Sequence, residues 1–395
     1  REHKVTQNAE VVIIGGGVMG TATAYHLALK GCTDVVLLER RSLAAEGTGH
    51  SGAIVRQHYS QESIVRVAAR SVEIFEQFKE RTGVPDVFHQ TGWIKIGDPG
   101  TREAMEHNIK RNRDFGVESY MLSGSDLVEL VPGIVADDIE AALFEPRSGW
   151  ADPVATAQGF ANAAATRGVK ILEDTAATGL MVDGSRVIGV ETSQGTIHCD
   201  SVVVAAGPWG KTIAGWAGID VPIDVTREQD LHFECDDETY RPRLPVSNNH
   251  DFFYWRPETG NRVLVGDGYP KEVDYVNPND FNRQHDSSFE NKIGGLLSKR
   301  LPEFAKSARI VSGYASLYDV TPDWHPILGR VPEVTGLVLC IGHSGHGFKL
   351  GPGFGELMAE EVLDGRAHSI DIDVMRFNRF AEGRLVEGQY AGNQA

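Results

Sequence analysis

The sequence predicts an α/β protein in which a Rossmann-like dinucleotide-binding domain is interrupted by a second domain built on an antiparallel sheet. Three observations lead to this prediction. A glycine-rich turn lies near the start of the chain, β-branched and aromatic stretches alternate with turns over residues 222–312, and αβ character returns after them. The dinucleotide-binding domain is therefore expected to comprise residues 1–85, 150–221 and 313–395, with residues 86–149 and 222–312 in the second domain.

The first predicted element carries the most information. Residues 11–14 are a β-branched run typical of a buried strand, and Gly15, Gly17 and Gly20 follow at G-x-G-x-x-G spacing. In such a motif the first glycine permits a tight turn, the second lets the backbone approach a pyrophosphate, and the third allows close helix packing. Glu39 ends the next predicted strand, where a carboxylate can accept hydrogen bonds from an adenosine ribose. These residues predict a dinucleotide site.

The later elements are predicted from apolar periodicity and from the residues at their boundaries. The Gly/Ser/His segment 46–52 is expected to form a loop over a ligand, and a helical pattern covers residues 61–81. Pro153 is expected to open an alanine-rich helix that ends near Thr166. The remaining predictions are a strand at 169–172, a hairpin of strands 179–182 and 187–192, a strand at 201–207 that ends in small residues, a strand at 337–341, a turn at 342–347 and a helix at 353–363.

Composition excludes several classes of partner. The 395 residues include 38 basic and 55 acidic ones, giving a net charge of −17, which disfavours nucleic acid and anionic membranes as partners. No apolar run reaches transmembrane length, and the polar start does not resemble a signal peptide. The four cysteines lack C-x-x-C spacing, so buried thiols in a reducing, cytoplasmic compartment are expected. Because the first residue is not Met, a removed leader stays open.

Four motifs together resemble those of the flavin-dependent amine oxidoreductases of the sarcosine oxidase, glycine oxidase and dimethylglycine dehydrogenase group, within the D-amino-acid oxidase superfamily. They are the glycine motif with Glu39, the segments 144–149 and 321–323, and the segment 345–349. The last resembles the S-G-H-G-F-K segment of monomeric sarcosine oxidases, whose backbone passes the flavin pyrimidine and whose lysine faces the substrate. The resemblance implies FAD rather than NAD, and hence an FAD-binding domain with an inserted substrate domain.

The resemblance also implies roles for individual residues. Arg56 matches the arginine that grips the substrate carboxylate, and Lys349 would complete a clamp of two cations. Tyr254 falls where the family places an aromatic beside the substrate; alternatively, it is an ordinary strand residue. The expected FAD contacts are Gly15, Gly17, Val18, Met19, Gly20, Glu39, Arg40, Thr48, His50, Ser51, Gly52, Ala206, Gly207, Trp209, Gly345, His346, Gly347, Phe348 and Lys349, and no metal ligand is expected.

One histidine is expected to lower the effective pKa of the substrate amine. His58, His343 and His346 lie close in sequence to the clamp, and spacing does not choose among them. His343 is taken as the candidate catalytic histidine.

The chain also departs from this family pattern. Monomeric sarcosine oxidases tether FAD through a cysteine where Ser316 stands here, and a serine cannot form that thioether. His50 lies in a segment loosely similar to the one through which dimethylglycine dehydrogenases attach FAD, so attachment there and a plain hydrogen-bonding role both stay open. Leu264 stands where the oxidases carry a lysine that assists oxygen, and Arg262 would replace that cation only in another register. Slow reaction with oxygen is expected.

The resulting expectation is an enzyme that oxidises the C–N bond of a small N-alkyl amino acid resembling sarcosine. The amine would transfer hydride to flavin N5, and the imine would hydrolyse in water. Its partners would be a small carboxylated amine and either oxygen or another electron acceptor. Two alternatives stay open, namely a flavin-dependent 2-hydroxy-acid dehydrogenase and a flavin subunit of a heteromeric complex similar to sarcosine oxidase.

Overall fold

The computed structural model describes residues 5–387, whose 21 strands form four sheets. In chain order the strands are β1 (Val5–Asn8), β2 (Val11–Ile14), β3 (Val35–Leu38), β4 (Ile54–Val55), β5 (Phe88–His89), β6 (Trp93–Ile96), β7 (Tyr120–Leu122), β8 (Ala142–Glu145), β9 (Gly149–Ala151), β10 (Lys170–Leu172), β11 (Ala177–Asp183), β12 (Arg186–Thr192), β13 (Gly195–His198), β14 (Ser201–Val204), β15 (Asp224–Glu234), β16 (Val246–Asn248), β17 (Phe253–Pro257), β18 (Arg262–Asp267), β19 (Arg309–Val320), β20 (Ile327–Arg330) and β21 (Leu337–Ile341). The α-helices of the same residues are α1 (Val18–Leu29), α2 (Glu62–Glu76), α3 (Phe78–Thr82), α4 (Arg102–Arg113), α5 (Gly124–Leu130), α6 (Pro153–Ala165), α7 (Gly210–Gly215), α8 (Ser287–Arg300), α9 (Pro302–Ser307) and α10 (Gly347–Asp364).

A six-stranded sheet forms the Rossmann-like part of the molecule. Its order is β10-β3-β2-β14-β21-β20, and only β20 runs antiparallel to its neighbour. Alternate residues of β2 enter different cores: Ile13 packs with α1, α2, α6 and α10, whereas Val12 packs with α7 and the sheet containing β12. Both faces of the sheet are thus covered, which explains its continuous apolar strands and confirms the α/β fold class.

An eight-stranded sheet forms the second part. Its order is β19-β15-β18-β17-β16-β6-β8-β7, and helices α8 and α9 cover one face through Phe289, Ile293 and Phe304. The sheet is mixed rather than purely antiparallel, because β16 pairs with β6 in parallel. Its edge strand β19 crosses the boundary expected at residue 313, so residues 313–320 belong to this sheet. The division into two domains stays a prediction.

Three expectations about helices are corrected. The helical pattern at 61–81 is two helices, because the chain leaves helical geometry at Gln77 between α2 and α3. Residues 287–307 are α8 and α9 rather than strands. The turn expected at 342–347 ends early, because α10 begins at Gly347 instead of Gly353 and contains Pro352.

Helix α10 contains Pro352, and a residue of another helix bonds to the backbone beside it. A proline inside a helix removes one backbone hydrogen bond. The hydroxyl of Ser71 of α2 accepts a hydrogen bond from Gly353 N at 3.0 Å and donates one to Leu350 O at 3.3 Å, which ties α10 to α2 at this point. Gly351 and Gly355 let α10 lie directly on α1, since added Cβ atoms there would come within 2.8 Å of Val18 and 2.5 Å of Ala22. The N-terminus of α10 is thereby fixed beside the start of α1.

Candidate active site

A cavity of about 510 Å³, a size typical of small-ligand sites, receives lining residues from both large sheets. It begins at the glycine turn after β2 and reaches the first turn of α10. All of the predicted site residues except Gly20 and His50 line it. They are Gly15, Gly17, Val18, Met19, Glu39, Arg40, Thr48, Ser51, Gly52, Arg56, Ala206, Gly207, Trp209, Tyr254, His343, Gly345, His346, Gly347, Phe348 and Lys349.

The glycine turn has the geometry of a phosphate site. Gly15 adopts a positive φ of 121°, and an added Cβ would lie 2.3 Å from Ala205 O, so only glycine fits. Gly17 is the N-cap of α1, and Val18 and Met19 of its first turn line the cavity, so the positive end of the helix dipole lies at the cavity wall. Gly20 does not line the cavity; its added Cβ would lie 1.9 Å from Gly15 O, so its role is helix packing.

The same end of the cavity is also lined by Glu39, Arg40 and Trp209. The Glu39 carboxylate accepts hydrogen bonds from Gly16 N at 2.8 Å and Arg41 N at 2.9 Å, which fixes it at the end of β3. The Arg40 guanidinium stacks 3.8 Å from the centre of the Trp209 ring. A fixed carboxylate, a helix N-terminus and a flat aromatic surface fit the ribose, pyrophosphate and adenine of a dinucleotide.

The loop after β3 brings Thr48, Ser51 and Gly52 to the cavity but leaves His50 outside its lining. Thr48 Oγ1 accepts a hydrogen bond from Val18 N at 3.0 Å. The His50 ring lies 4.9 Å from the Tyr314 ring, and its Nδ1 is 3.1 Å from Glu46 O. This placement agrees with a hydrogen-bonding role within the loop, and attachment of FAD at His50 stays a prediction.

The other end of the cavity is formed by the turn between β21 and α10. Ser344 and Gly345 adopt positive φ values of 49° and 80°. An added Cβ at Gly345 would lie 2.4 Å from the Tyr318 ring, so the turn needs glycine to approach that ring. Asp319, which sequence reasoning missed, fixes the turn by accepting hydrogen bonds from Gly342 N at 2.6 Å and Ser344 N at 2.9 Å.

Helix α10 directs its N-terminus to this end. His346 caps it without a side-chain hydrogen bond, and Gly347, Phe348 and Lys349 of its first turn line the cavity. Backbone amides and a lysine would stabilise negative charge on the pyrimidine edge of a reduced flavin. The residues present therefore fit FAD at both ends of the cavity.

Arg56 and Lys349 bring two cations to the same cavity. The Arg56 guanidinium is held by a 2.6 Å hydrogen bond from Nη1 to His58 O and lies 4.2 Å from the centre of the Tyr59 ring. Desolvation lowers the pKa of Lys349 well below its usual range, and the charge of Arg56 lowers it further. Within residues 5–387 no carboxylate forms an ion pair with either side chain. An anionic ligand would supply the missing counter-charge.

Behind Arg56 lies a buried pair of titratable residues. Glu145, from the 144–149 motif, accepts hydrogen bonds from Gln57 N at 2.8 Å and from the Ser148 hydroxyl at 2.7 Å. Burial raises the pKa of Glu145 to about 7 and lowers the pKa of Lys95 to about 7. The motif thus supports the backbone next to Arg56.

Tyr254 lines the cavity and donates a hydrogen bond to the carboxylate of Asp230, with a distance of 2.6 Å between Oη and Oδ1. Tyr314 donates to the second oxygen of Asp230 at 3.1 Å. Sequence reasoning missed Asp230, Tyr314 and Tyr318, although Tyr318 also lines the cavity. Tyr314 and Tyr318 are four residues apart in β19, and this even spacing is the sequence signal that could have placed both on one strand face.

The structure separates the three candidate histidines. His343 and His346 line the cavity, whereas the buried His58 does not. Burial lowers the pKa of His343, so this ring is neutral at pH 7, and its Nε2 lies 3.8 Å from Cys340 Sγ. Nδ1 of His346 lies 3.3 Å from the Tyr59 hydroxyl.

The positions that depart from the family pattern lie outside the cavity lining. Ser316 is buried on β19. Leu264 is buried on β18, where it pairs with His232 on one side and Arg256 on the other. Arg262 lies at the exposed start of β18 opposite Glu234 and does not line the cavity, and a role for it near the flavin stays a prediction.

Other site types are not seen in the part of the chain that the structure describes. No group of three or more His, Cys, Asp or Glu side chains there could hold a metal ion. No helix among those residues has the length and apolar character needed to cross a membrane. All four cysteines are free and buried, as expected.

The fold and the two-ended cavity define an FAD-dependent oxidoreductase. A family model described as FAD dependent oxidoreductase matches residues 10–361, and the chain belongs to this family. FAD is therefore the cofactor, as the resemblance implied, and the chain is an enzyme.

Among the proteins similar to this chain are several named amine and amino-acid oxidoreductases. The chain is 30% identical to the mitochondrial sarcosine dehydrogenase of Homo sapiens over 391 residues, covering 92% of this chain but 41% of that protein. It is 29% identical to the sarcosine oxidase subunit beta of Arthrobacter sp, covering 96% and 92%. Among solved structures, L-proline dehydrogenase from P. horikoshii superimposes with a TM-score of 0.89 at 28% identity, covering 97% of this chain and all of that one. The chain thus spans about two fifths of the mitochondrial dehydrogenase.

Proposed function

We propose that this chain oxidises the C–N bond of a small amino acid with a secondary amine, of which sarcosine is the simplest example, to an imine that hydrolyses in water. The observation that supports this most directly is that Arg56 and Lys349 share the cavity and that no carboxylate of residues 5–387 forms an ion pair with either. The names of the relatives agree with it, because sarcosine and proline are both carboxylated secondary amines.

The clamp would orient the substrate. A carboxylate can accept two charge-assisted bonds from the planar guanidinium of Arg56, and the ammonium of Lys349 fixes its rotation. Arg56 is positioned before the substrate arrives, because His58 O and the Tyr59 ring already hold its guanidinium. Binding the carboxylate in this way places the amine end of a short substrate at a fixed distance from the clamp, which lowers the entropic part of the barrier.

Bound FAD supplies the acceptor for the hydride that leaves the carbon next to the nitrogen. The protein contributes position, exclusion of water and proton handling. The end of the cavity at the turn between β21 and α10 is called the catalytic end below. Tyr254, Tyr318 and Phe348 line it with aromatic surface, which would shield the reacting carbon from solvent. No protein nucleophile is needed, because the imine reacts with water after release.

The test is an anaerobic titration of the FAD-loaded chain with a panel of ligands, followed by loss of the oxidised flavin absorbance. N-methylglycine and proline should bleach the flavin, whereas lactate and the decarboxylated N-methylamine should not. Bleaching by lactate alone would favour the 2-hydroxy-acid alternative and refute the proposal.

A heteromeric arrangement is tested by the same experiment. The similarity to a sarcosine oxidase β subunit motivates this second possibility. If the isolated chain reduces its own flavin with substrate, the chemistry is complete in this chain, and only the electron acceptor is left to a partner or to oxygen. If purified chain is bleached by none of the amines, the proposed activity of the isolated chain is refuted.

A further inference from the structure

A buried carboxylate stands directly behind the tyrosine of the catalytic end. Asp230 on β15 pairs with Gly266 on β18 and with Tyr314 on β19, and Tyr254 on β17 pairs with the same Gly266. The four residues therefore share one face of the eight-stranded sheet. Asp230 accepts hydrogen bonds from both tyrosines, at 2.6 Å from Tyr254 and 3.1 Å from Tyr314.

Gly266 makes room for this arrangement. An added Cβ there would lie 2.1 Å from Asp230 Oδ1 and 2.4 Å from the Tyr254 hydroxyl, closer than real Cβ atoms approach. Any side chain at this position would push the carboxylate and the phenol apart. The chain thus keeps an empty position between two strands where the hydrogen bond between Tyr254 and Asp230 forms.

The groups around Asp230 leave its carboxylate able to accept a proton. It is 5% exposed, and burial raises its pKa to about 6, while the hydrogen bonds from Tyr254 and Tyr314 and the charges of His232 and Lys271 oppose that rise. Nδ1 of His232 lies 2.6 Å from the Glu258 carboxylate, and Lys271 forms ion pairs with Glu228 and Asp267, so both side chains have partners other than Asp230. Tyr318 also faces Asp230, and Arg256 faces Tyr314. Within residues 5–387 no cation forms an ion pair with Asp230.

The proposed chemistry needs such an acceptor. A carboxylated secondary amine is mainly an ammonium ion at neutral pH, and an ammonium nitrogen has no lone pair to support loss of hydride from its carbon. Arg56 and Lys349 disfavour a third cation in the cavity. Of the groups that line the catalytic end, Tyr254 connects through one hydrogen bond to a buried carboxylate.

We propose that Asp230, acting through Tyr254, takes the proton that the substrate ammonium loses before oxidation. The N–H bond of the ammonium breaks and its proton passes to Tyr254 Oη, while the phenolic proton passes to Asp230 Oδ1. The substrate becomes a neutral amine, Asp230 becomes a neutral carboxylic acid, and no electrons change hands. Tyr254 would contact the substrate, whereas Asp230 is a positioning residue. This inference rests on the proposed amine substrate.

The test is the pH dependence of flavin reduction in the FAD-loaded enzyme under anaerobic conditions. Asp230→Asn keeps an oxygen for the Tyr254 hydroxyl but cannot take a proton. In this variant the apparent pKa of reduction should rise by at least one unit towards that of the free amine. The rate should fall about 10-fold for each pH unit below the new value and match wild type at high pH, where the amine arrives neutral.

Other variants separate this effect from damage to the structure. Tyr254→Phe, which leaves Asp230 in place, should give the same shift, and the double variant should shift no further. Asp251→Asn is the matched control. Asp251 follows β16 of the same sheet, its side chain is 4% exposed, and it forms ion pairs with Lys299 and Arg300. That control should leave the pH profile unchanged even if stability falls.

A second measurement does not depend on activity. In the infrared difference spectrum of wild type minus Asp230→Asn, a carbonyl band of a protonated carboxylic acid should grow as the pH falls through about 6. The band from Glu145, whose pKa is about 7, cancels in this difference. The wild type minus Asp251→Asn difference should lack the band. A uniform rate loss in Asp230→Asn with an unshifted profile would overturn the inference and leave the amine substrate intact, as would the lack of this band. Wild-type enzyme that no carboxylated amine reduces would overturn both proposals.

Discussion

Replacing Lys349 with methionine tests the clamp most directly. Methionine keeps a long unbranched stem and removes only the charge. Lys349 lines the cavity in the first turn of α10, and desolvation together with the charge of Arg56 holds its pKa well below the usual range. The variant should therefore fold normally, since it removes a cation that the folded state disfavours.

The expected kinetic effect follows from the lost contact. A hydrogen bond to a charged group contributes about 1.5 to 3 kcal/mol, and more where water is excluded. A loss of about 2 to 4 kcal/mol of transition-state stabilisation corresponds to a rate of flavin reduction roughly 30-fold to 1000-fold lower. Arg56 alone would still hold the carboxylate, so the substrate should still reduce the flavin of the Lys349→Met variant, but slowly.

The assay compares two substrates by anaerobic stopped-flow mixing. With N-methylglycine the variant should show the full loss, whereas any slow reduction by the decarboxylated amine should proceed at the wild-type rate. Lys79→Met, on the exposed face of α3, is the control and should behave as wild type with both. Equal rates for wild type and Lys349→Met with every carboxylated amine would show that Lys349 takes no part in the clamp.

Lys349→Met should also change how the free energy of unfolding depends on pH. The unfolded chain binds a proton at residue 349 up to its ordinary pKa of 10.5, whereas the folded chain releases it at lower pH. Wild-type stability therefore gains from this residue as pH rises towards 10.5, and the methionine variant lacks that gain. At neutral pH the melting temperature of Lys349→Met should equal or exceed that of wild type.

Three further changes test other parts of the structure. Leu264→Lys should raise reoxidation of the reduced flavin by oxygen about 10-fold, equivalent to about 1.4 kcal/mol, because a cation stabilises superoxide charge. Leu264 does not line the cavity, but it lies on the same face of β18 as Gly266, the partner of Tyr254, so a longer side chain there would extend towards Tyr254. An unchanged rate in oxygenated buffer would show that a cation at this position does not act on the flavin. Gly355→Val should lower the free energy of unfolding by about 1 to 3 kcal/mol through overpacking against Ala22, whereas Gly294→Ala, in open space on α8, should not lower it in urea titrations. Glu145→Gln should stabilise the protein progressively from about pH 4.5 to pH 7, because the raised pKa of this carboxyl makes ionisation unfavourable in the folded state; a melting-temperature difference that does not vary with pH would contradict this.

The sequence predicted the parts of the site that depend on local backbone geometry. Gly15, Gly17 and Gly345 are required by turns that bring the backbone near a ligand or a ring, and such requirements are visible in a few consecutive residues. Glu39 was found in the same way, because it ends the strand that follows the glycine motif. These features need no knowledge of distant contacts.

The features that sequence reasoning missed depend on pairing between distant segments. Asp230 meets Tyr254 and Tyr314 only because three strands align in one register, and no local pattern marks that carboxylate. Helix α8 was not predicted, because Gly294 and Gly295 each weaken helical propensity by about 1 kcal/mol. The helix forms because Phe289, Ile293 and Leu297 pack on the sheet. The early start of α10 places Pro352 inside the helix, next to a hydrogen bond between Gly353 N and Ser71 of the distant helix α2 that no local pattern indicates.

The contact between α1 and α10 fixes the length of the ligand that can reach both ends of the cavity. Since Gly351 and Gly355 leave no room for side chains between the helices, the two helix N-termini are held at a fixed spacing. With FAD bound as proposed, one N-terminus would lie at its pyrophosphate and the other at its flavin ring. A mononucleotide such as FMN would then engage the α10 end and leave the α1 end without an anion. Discrimination between the whole cofactor and its half would thus come from the packing of two helices rather than from any residue that touches the flavin ring.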